Sequence, residues 1–522
     1  MRKLAVKLFK EKSSFLWLVL ILVLGFALRF YRLESIPPSL FGDEVDVGYQ
    51  AYSILRTGRD YSGNPWPINF QSLADWRTPL FLYTTVPFVW LFGLTELGVR
   101  FAPALFGVLT VAAMYLLVRE LFRSLLTSQD VRQLAEQPPR FLFGSFSTSQ
   151  ESRSLPRHIR GDKSWERNSI RGVSLLAALL LAISPWHLQY SRAAFEVTQM
   201  LFLIILGVWG FLRGLRNSHW LVLAALCLAL APYSYNTAKL FIPLFGVLLV
   251  VCYLKDLRKV DRRYLALAIL IFVLVSLPMV WDILFGEGGS RFSVLAIFTD
   301  PTVIPQIGFD RLVDAKMKLG EVPLGFRPSL WTRFFHNKFL SWGMAFIINY
   351  FRAFSTEFLF TFGDINFRHS IQGGFGELYW LDAPFLLLGI FRVFRGFRGM
   401  RGRREGLFLL GWLFLAPIPS ALTRDGGNHA TRLILMLPPL LILVGLGIFG
   451  FLSYFRTKKR YLVSFLLLTS YFLLCISIVT TFTGRWNLSA GGTPALSRPE
   501  SMFFNMRGNM IGLSGVPGVN RR

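Results

Sequence analysis

Asp43, Glu44 and Asp46 crowd into the run Leu40-Phe41-Gly42-Asp43-Glu44-Val45-Asp46-Val47-Gly48-Tyr49-Gln50. The chain carries 30 Asp and Glu against 56 Lys and Arg, so carboxylates packed this tightly, just after a long apolar segment, call for a reason. They follow Pro37-Pro38 and open an expected helix that ends before Gly58, and an acid at a helix start is favoured by the helix dipole. A carboxylate held there can also accept a proton from a hydroxyl group. Adjacent acids raise one another's pKa, so that one can act while the other orients. Asp43 and Glu44 are the candidate catalytic acids, with Asp43 preferred as the base and Asp46 as a polar contact beside it.

A second set is cationic. Arg77, Arg100, Arg192, Lys239, Arg424, His429 and Arg432 all fall at ends of apolar segments. Singly, each reads as an interfacial cation; together they suit a phosphate. Arg100 also opens a helix whose N-terminus adds a favourable dipole. Arg100, Arg192, Lys239 and Arg432 are the candidate phosphate-binding residues. The runs Ser184-Pro185-Trp186-His187-Leu188-Gln189-Tyr190-Ser191-Arg192 and Pro232-Tyr233-Ser234-Tyr235-Asn236-Thr237-Ala238-Lys239 end apolar segments with polar and aromatic residues. An aromatic belt at a membrane interface explains such runs in part. Tyr190, Tyr233 and Tyr235 are the candidates for lining a bound polar molecule. The 6 His show no HExxH or similar spacing, so no metal ligand is assigned. The chain has neither a phosphate-cradling GxxxxGK[ST] loop nor a GxGxxG fingerprint, which argues against a nucleotide-powered pump.

The elements that must position these groups are membrane helices. The chain of 522 residues is 53% hydrophobic and only 16% charged, and its apolar residues come in long blocks. Its net charge of +26 falls in short clusters between those blocks, the pattern of cytoplasmic loops, so nucleic acid is not an expected partner. Cys227, Cys252 and Cys475 lie inside apolar segments and read as core residues. The basic N-terminus leads into a retained anchor.

The expected spans are 14–33, 99–122, 171–188, 196–213, 219–235, 238–254, 263–281, 382–396, 406–422, 431–451 and 461–483. Segment 79–93 is short for a core of about 30 Å, and 339–360 carries Arg352 and Glu357. Leaving both uncrossed puts all six basic internal connections on one side, as the positive-inside rule requires. Both then read as interfacial helices, and the chain as an all-α polytopic membrane protein with about eleven spans and a cytoplasmic N-terminus. The membrane domain covers 1–483, with extracytoplasmic connections at 34–98, which holds the acids, and at 282–381, a folded lid. The basic cytoplasmic loop 123–170 and the polar tail 484–522 are expected to be disordered.

Several runs together resemble a known family: Phe41-Gly42-Asp43-Glu44 through Tyr52, Gly58-Arg59-Asp60, Thr78-Pro79-Leu80-Phe81-Leu82-Tyr83, Leu91-Phe92-Gly93 and Val99-Arg100-Phe101-Ala102-Pro103-Ala104. They look like the N-terminal half of the dolichyl-phosphate-mannose protein mannosyltransferase superfamily, which includes the bacterial aminoarabinose transferases that modify lipid A. The 184–192 run, Gly363-Asp364, Arg368-His369, Gly376-Glu377-Leu378-Tyr379 and His429-Ala430-Thr431-Arg432 extend the resemblance over roughly 15–455.

The resemblance implies a GT-C fold glycosyltransferase of the cell (inner) membrane, working on its extracytoplasmic face. Its donor would be a polyprenyl-phosphate sugar, and its acceptor a hydroxyl of a protein, lipid or polysaccharide. It gives Asp43 the role of base with Glu44 its neighbour and Arg100 a donor-phosphate contact, while Asp46 and the three tyrosines remain, on their own chemistry, the candidate contacts to sugar or acceptor. Where the aminoarabinose enzymes have Glu-Lys before the proline this chain has Arg77-Thr78, so no metal or lysine role transfers. No cofactor is assigned, and dependence on a divalent cation stays open. The rival reading is a transporter or flippase of lipid-linked sugars, which would place ionisable residues mid-membrane or show internal repeats.

Overall fold

A computed structural model describes residues 2–72, 76–126, 163–320, 327–364, 366, 369, 375–398, 403–455, 459 and 462–477 except 472 and 475. The expected disorder of the 123–170 loop therefore falls largely outside the described residues, and that of the 484–522 tail wholly so. The described chain is helical throughout, apart from a two-stranded hairpin, β1 (Phe70–Gln71) against β2 (Trp76–Arg77).

The N-terminal part comprises α1 (Arg2–Phe30), α2 (Gly42–Thr57), α3 (Pro79–Phe92) and α4 (Glu96–Leu126). The expected span 171–188 is broken: α5 (Lys163–Ile183) stops at Ser184, and α6 (Pro185–Arg192) leaves at 54°. Pro185 has no N–H to continue the helix but fits its first position, and Ser184 Oγ caps the new start by accepting from His187 N at 3.3 Å. Then follow α7 (Val197–Gly214), α8 (Trp220–Leu230), α9 (Thr237–Leu257) and α10 (Arg262–Phe285). The described part of the 282–381 connection is folded, with α11 (Val303–Leu319) and α12 (Lys338–Arg352) as its longest described helices after the end of α10. The last part holds α13 (Asp382–Arg398), α14 (Arg403–Leu415) and α15 (Leu437–Tyr454).

Among the described residues, five helices are long and apolar enough to cross a membrane, or six if the bent α5–α6 pair counts as one. Other expected spans are shorter apolar helices, such as Ser14–Phe30, Trp220–Tyr233 and Leu462–Tyr471. α3 is likewise a shorter apolar helix, in keeping with an interfacial element.

The core forms where α4 packs on α1, α5 and α7, and where α13 packs along α15. Small residues set the second contact. A Cβ on Gly389 would stand 2.0 Å from Leu443 O, and one on Gly447 1.9 Å from Phe385 O, so only glycine lets these two backbones approach. α10 differs: Ile269, Val273, Leu277 and Trp281 are exposed along it, an apolar face suited to lipid.

Candidate active site

The acids sit on the first turns of α2, and helical geometry sorts them. Residues three apart share a face, so Asp43 and Asp46 point one way and Glu44, about 100° round, points another. Gly58, with φ 68°, ends the helix in the left-handed conformation and donates its N–H to Ile54 O.

Asp43 and Asp46 meet Arg77, delivered by β2. Arg77 Nη2 is 2.5 Å from Asp43 Oδ1, Nε is 2.8 Å from Asp46 Oδ2 and Nη1 is 3.3 Å from Glu196 Oε1. Ser72 Oγ also donates to Asp46 Oδ2 at 3.2 Å. One guanidinium thus serves three carboxylates. Burial opposes its charge, but Glu196, Asp46 and Asp43 outweigh burial and hold its pKa above the ordinary value. Burial raises the pKa of Asp46, partly offset by Arg77 and by hydrogen bonds from Tyr61 and Ser72. The Tyr61 phenol, buried beside Asp46, is pushed up to about 12. Asp43 is the open member: its side chain is 42% exposed, against 6% for Asp46 and 11% for Glu196.

Glu44 is enclosed. Its Oε1 accepts from Arg100 Nε at 2.8 Å and from Ala194 N at 3.0 Å; Oε2 accepts from Arg100 Nη2 at 2.9 Å and from Phe41 N at 3.3 Å. The rest of Arg100 goes to backbone: Nη1 to Leu33 O (3.3 Å) and Pro37 O (2.7 Å), Nη2 to Ser39 O (2.9 Å). All five N–H donors of the guanidinium are thus engaged, and neither side chain is accessible. In this arrangement Arg100 has no donor left for a phosphate and Glu44 no lone pair left for a proton.

The other expected phosphate cations divide likewise. Arg192 donates to Leu28 O (2.6 Å) and Arg29 O (3.3 Å), carbonyls in the last turn of α1, and to Tyr31 O (2.9 Å) and Ile36 O (3.0 Å) in the segment that follows. Lys239 Nζ has one bond, to Gly288 O at 2.7 Å, and so keeps donors free of protein partners among the described residues. Arg432 uses Nη1 for Thr423 Oγ1 and Asp425 Oδ1, both at 2.6 Å, and interacts with Tyr235.

Of the tyrosines, Tyr235 is buried, with Arg291, Arg432 and Glu196 around it. Tyr190 is fully buried, its hydroxyl 2.9 Å from Thr431 Oγ1. Tyr233 inserts into a helix: its Oη donates to Val275 O (2.7 Å) and accepts from Met279 N (3.1 Å), the pair an unbroken α10 would join directly.

Two associations join residues too far apart in the sequence to be paired from it. Glu196 reaches Arg77 from 119 residues away. Asp364, His369 and His429 form the one group among the described residues with the composition and proximity to hold a metal ion. Burial acts against the Asp364 charge, but His369, His429 and Asn366 N keep its pKa below the ordinary range. Burial and the nearby Arg432 and His369 depress His429. Glu377, buried behind Asp364, is pushed well above its usual range, first by burial and then by the Asp364 charge.

The described chain is thus an all-α bundle with several apolar spans, whose first long helix leads into an acidic helix start. Solved structures with this fold include the Archaeoglobus fulgidus oligosaccharyltransferase tethered to an acceptor peptide, matched at TM-score 0.50 and 16% identity over 95% of this chain and 59% of that one. Two further matches are ArnT from Cupriavidus metallidurans bound to undecaprenyl phosphate (TM-score 0.45, 15% identity, 89% of this chain and 65% of that one) and Archaeoglobus fulgidus AglB with an inhibitory peptide and a dolichol-phosphate (TM-score 0.46, 15% identity, 94% and 57%). The chain thus spans about three-fifths of the length of these proteins. No family model and no curated protein matches it. The fold is that of GT-C membrane glycosyltransferases.

Proposed function

We propose that this protein is an integral-membrane glycosyltransferase that moves a sugar from a polyprenyl-phosphate donor to an acceptor hydroxyl, with inversion. The observation that carries the reading is Asp43: an exposed carboxylate with one oxygen fixed by Arg77, at the head of a helix in a GT-C fold. The acceptor oxygen attacks the anomeric carbon, its proton passes to Asp43, and the bond to the donor oxygen breaks with its electron pair leaving on polyprenyl phosphate. Lys239 and Arg432, which bind less of the protein than Arg100 and Arg192 do, stabilise the charge that develops on that phosphate. Arg100 and Glu44 act by positioning, since their bonding capacity is taken up inside the protein. Asp46, Tyr190 and Tyr235 support the floor of the site, while Tyr233 shapes α10.

The undecaprenyl-phosphate and dolichol-phosphate bound to structurally similar proteins support a lipid-linked donor here, and the acceptor peptide tethered to another supports a separate acceptor. The positive-inside pattern supports a cytoplasmic N-terminus and an extracytoplasmic site in the cell membrane. The test is purified protein in nanodiscs, incubated with polyprenyl-phosphate sugars and with candidate peptide, lipid and polysaccharide acceptors. Mass spectrometry is expected to find glycosylated product and free polyprenyl phosphate in equal amounts. Donor movement across vesicles without any transfer would favour a flippase instead.

A further inference from the structure

Three side chains of metal-ligand type converge where two distant segments meet. Asp364 and His369 follow the π-helical turn Glu357–Thr361, and His429 precedes the single turn Ala430–Leu433. Asp364 Oδ2 lies 3.2 Å from His369 Nδ1 and 3.7 Å from His429 Nδ1, and the two imidazoles stack with centroids 4.8 Å apart. One ligand atom from each residue lies within 4.8 Å of the other two. Ligands bound tetrahedrally at about 2.0–2.1 Å stand about 3.3–3.4 Å apart, a spacing that the two carboxylate–imidazole edges, at 3.2 and 3.7 Å, already approach.

The surroundings argue for a ligand rather than a chance meeting. His429 Nδ1 is buried without a hydrogen-bond partner, an arrangement that is costly unless a ligand engages it. The carboxylate is already aimed: Asn366 N donates to Asp364 Oδ1 and Ala430 N to Asp364 Oδ2, both at 2.8 Å, while Glu377 Oε1 accepts from Asp364 N at 3.2 Å. Backbone and carboxylate contacts of this kind are what orient first ligands in metal sites. The nearby cation Arg432 is turned toward Asp425 and Thr423.

We propose that Asp364, His369 and His429 bind one divalent transition-metal ion of the zinc class, which clasps the segment after Thr361 to the loop before α15. Two imidazoles and one carboxylate suit Zn²⁺ and its neighbours, whereas Mg²⁺ and Ca²⁺ prefer all-oxygen shells. Three protein ligands leave a fourth position for water or for an oxygen of a bound molecule. The clasp also bears on the acidic helix. The His369 ring lies 5.6 Å from that of Phe195, which lies 5.2 Å from Phe41, the residue that starts α2.

The proposal stands apart from sugar transfer, because the ion is measured without donor or acceptor. Purified full-length protein is stripped with EDTA, dialysed and titrated with Zn²⁺ against a chromophoric chelator, and its melting is followed with and without the ion. One Zn²⁺ per chain and a rise in Tm are expected. His369→Ala and His429→Ala should bind at least about 100-fold more weakly and show no rise, while melting in EDTA like stripped wild type. Asp43→Asn should bind normally. Unchanged Zn²⁺ affinity in both histidine variants, loss of the ion in Asp43→Asn, or no stoichiometric binding by wild type would each overturn the proposal. A second readout needs no variant: Co²⁺ in the wild type should give the strong visible absorption of a low-coordinate site, and a spectrum like that of aqueous Co²⁺ counts against it.

Discussion

On α2, Asp43 and Asp46 face Arg77 in a cluster that opens to the surface, while Glu44, between them in sequence, turns into a sealed contact with Arg100. The open cluster has three carboxylates for one guanidinium, and Asp43 remains 42% exposed. The sealed contact is balanced one to one, with every guanidinium N–H engaged and both side chains at 0% exposure. The same residue types therefore do different work. Excess negative charge with an accessible oxygen leaves a group free to meet a bound molecule, whereas a saturated buried pair fixes the chain path from Leu33 to Ser39 against α4.

The largest effect that separates the two faces is on turnover. Asp43→Asn keeps the shape and removes the proposed base, so on that proposal transfer should fall by about 10²–10⁴-fold while thermal unfolding stays close to wild type. Glu44→Gln should do the reverse, lowering stability, with the surviving folded fraction still active. If Asp43→Asn turns over normally in the nanodisc assay and Glu44→Gln, though folded, does not, the roles are exchanged.

Arg100→Ala comes next. It strands the buried Glu44 carboxylate and three carbonyls, and breaking a buried pair in this way costs about 3–5 kcal/mol. Little folded protein should be recovered from membranes, as read by size-exclusion chromatography in detergent. A well-folded Arg100→Ala protein with weakened donor affinity would instead return Arg100 to the phosphate.

How the two faces differ was only half legible in the sequence. The acid-rich helix start is local chemistry, so Asp43, Glu44, Asp46 and the Gly58 stop could be read directly. Most expected spans also coincide with helices, because apolar length is a property of a contiguous stretch. What sequence could not convey is tertiary pairing. Arg100 and Arg192 looked like phosphate cations because their charge and position are visible, whereas the carbonyls of Leu33, Pro37 and the end of α1 that engage them are not. Glu196 and the His369–His429 pairing are likewise invisible until α7 and the last loop fold back.

Arg77→Lys sharpens the open face at lower cost. Lysine keeps the charge but loses the planar fork that reaches three carboxylates at once. Stability should change by less than in Arg100→Ala, since Asp43 is already wet. Turnover should fall by roughly 10-fold as the base loses its fixed orientation, since misplacing a catalytic group by 1 Å can cost as much as 10²-fold. An unchanged kcat would mean that Asp43 needs no orienting partner.

The smallest effect tests whether Asp46 belongs to the machinery or to its support. Burial raises its pKa above the ordinary 3.8, so the folded state holds its proton to higher pH than the unfolded chain does. The sign follows by linkage: this contribution favours folding fully below the unfolded pKa and is lost as pH rises through the folded one. In wild type, stability should therefore carry a shallow downward component as pH climbs from about 4. Asp46→Asn cannot titrate, so its Tm measured in detergent across that window should lack this component, while Asp43→Asn should retain it. If the Asp46→Asn profile runs parallel to wild type from pH 4 to 7, then Arg77 fully offsets the burial of Asp46, which is then a structural partner of the guanidinium.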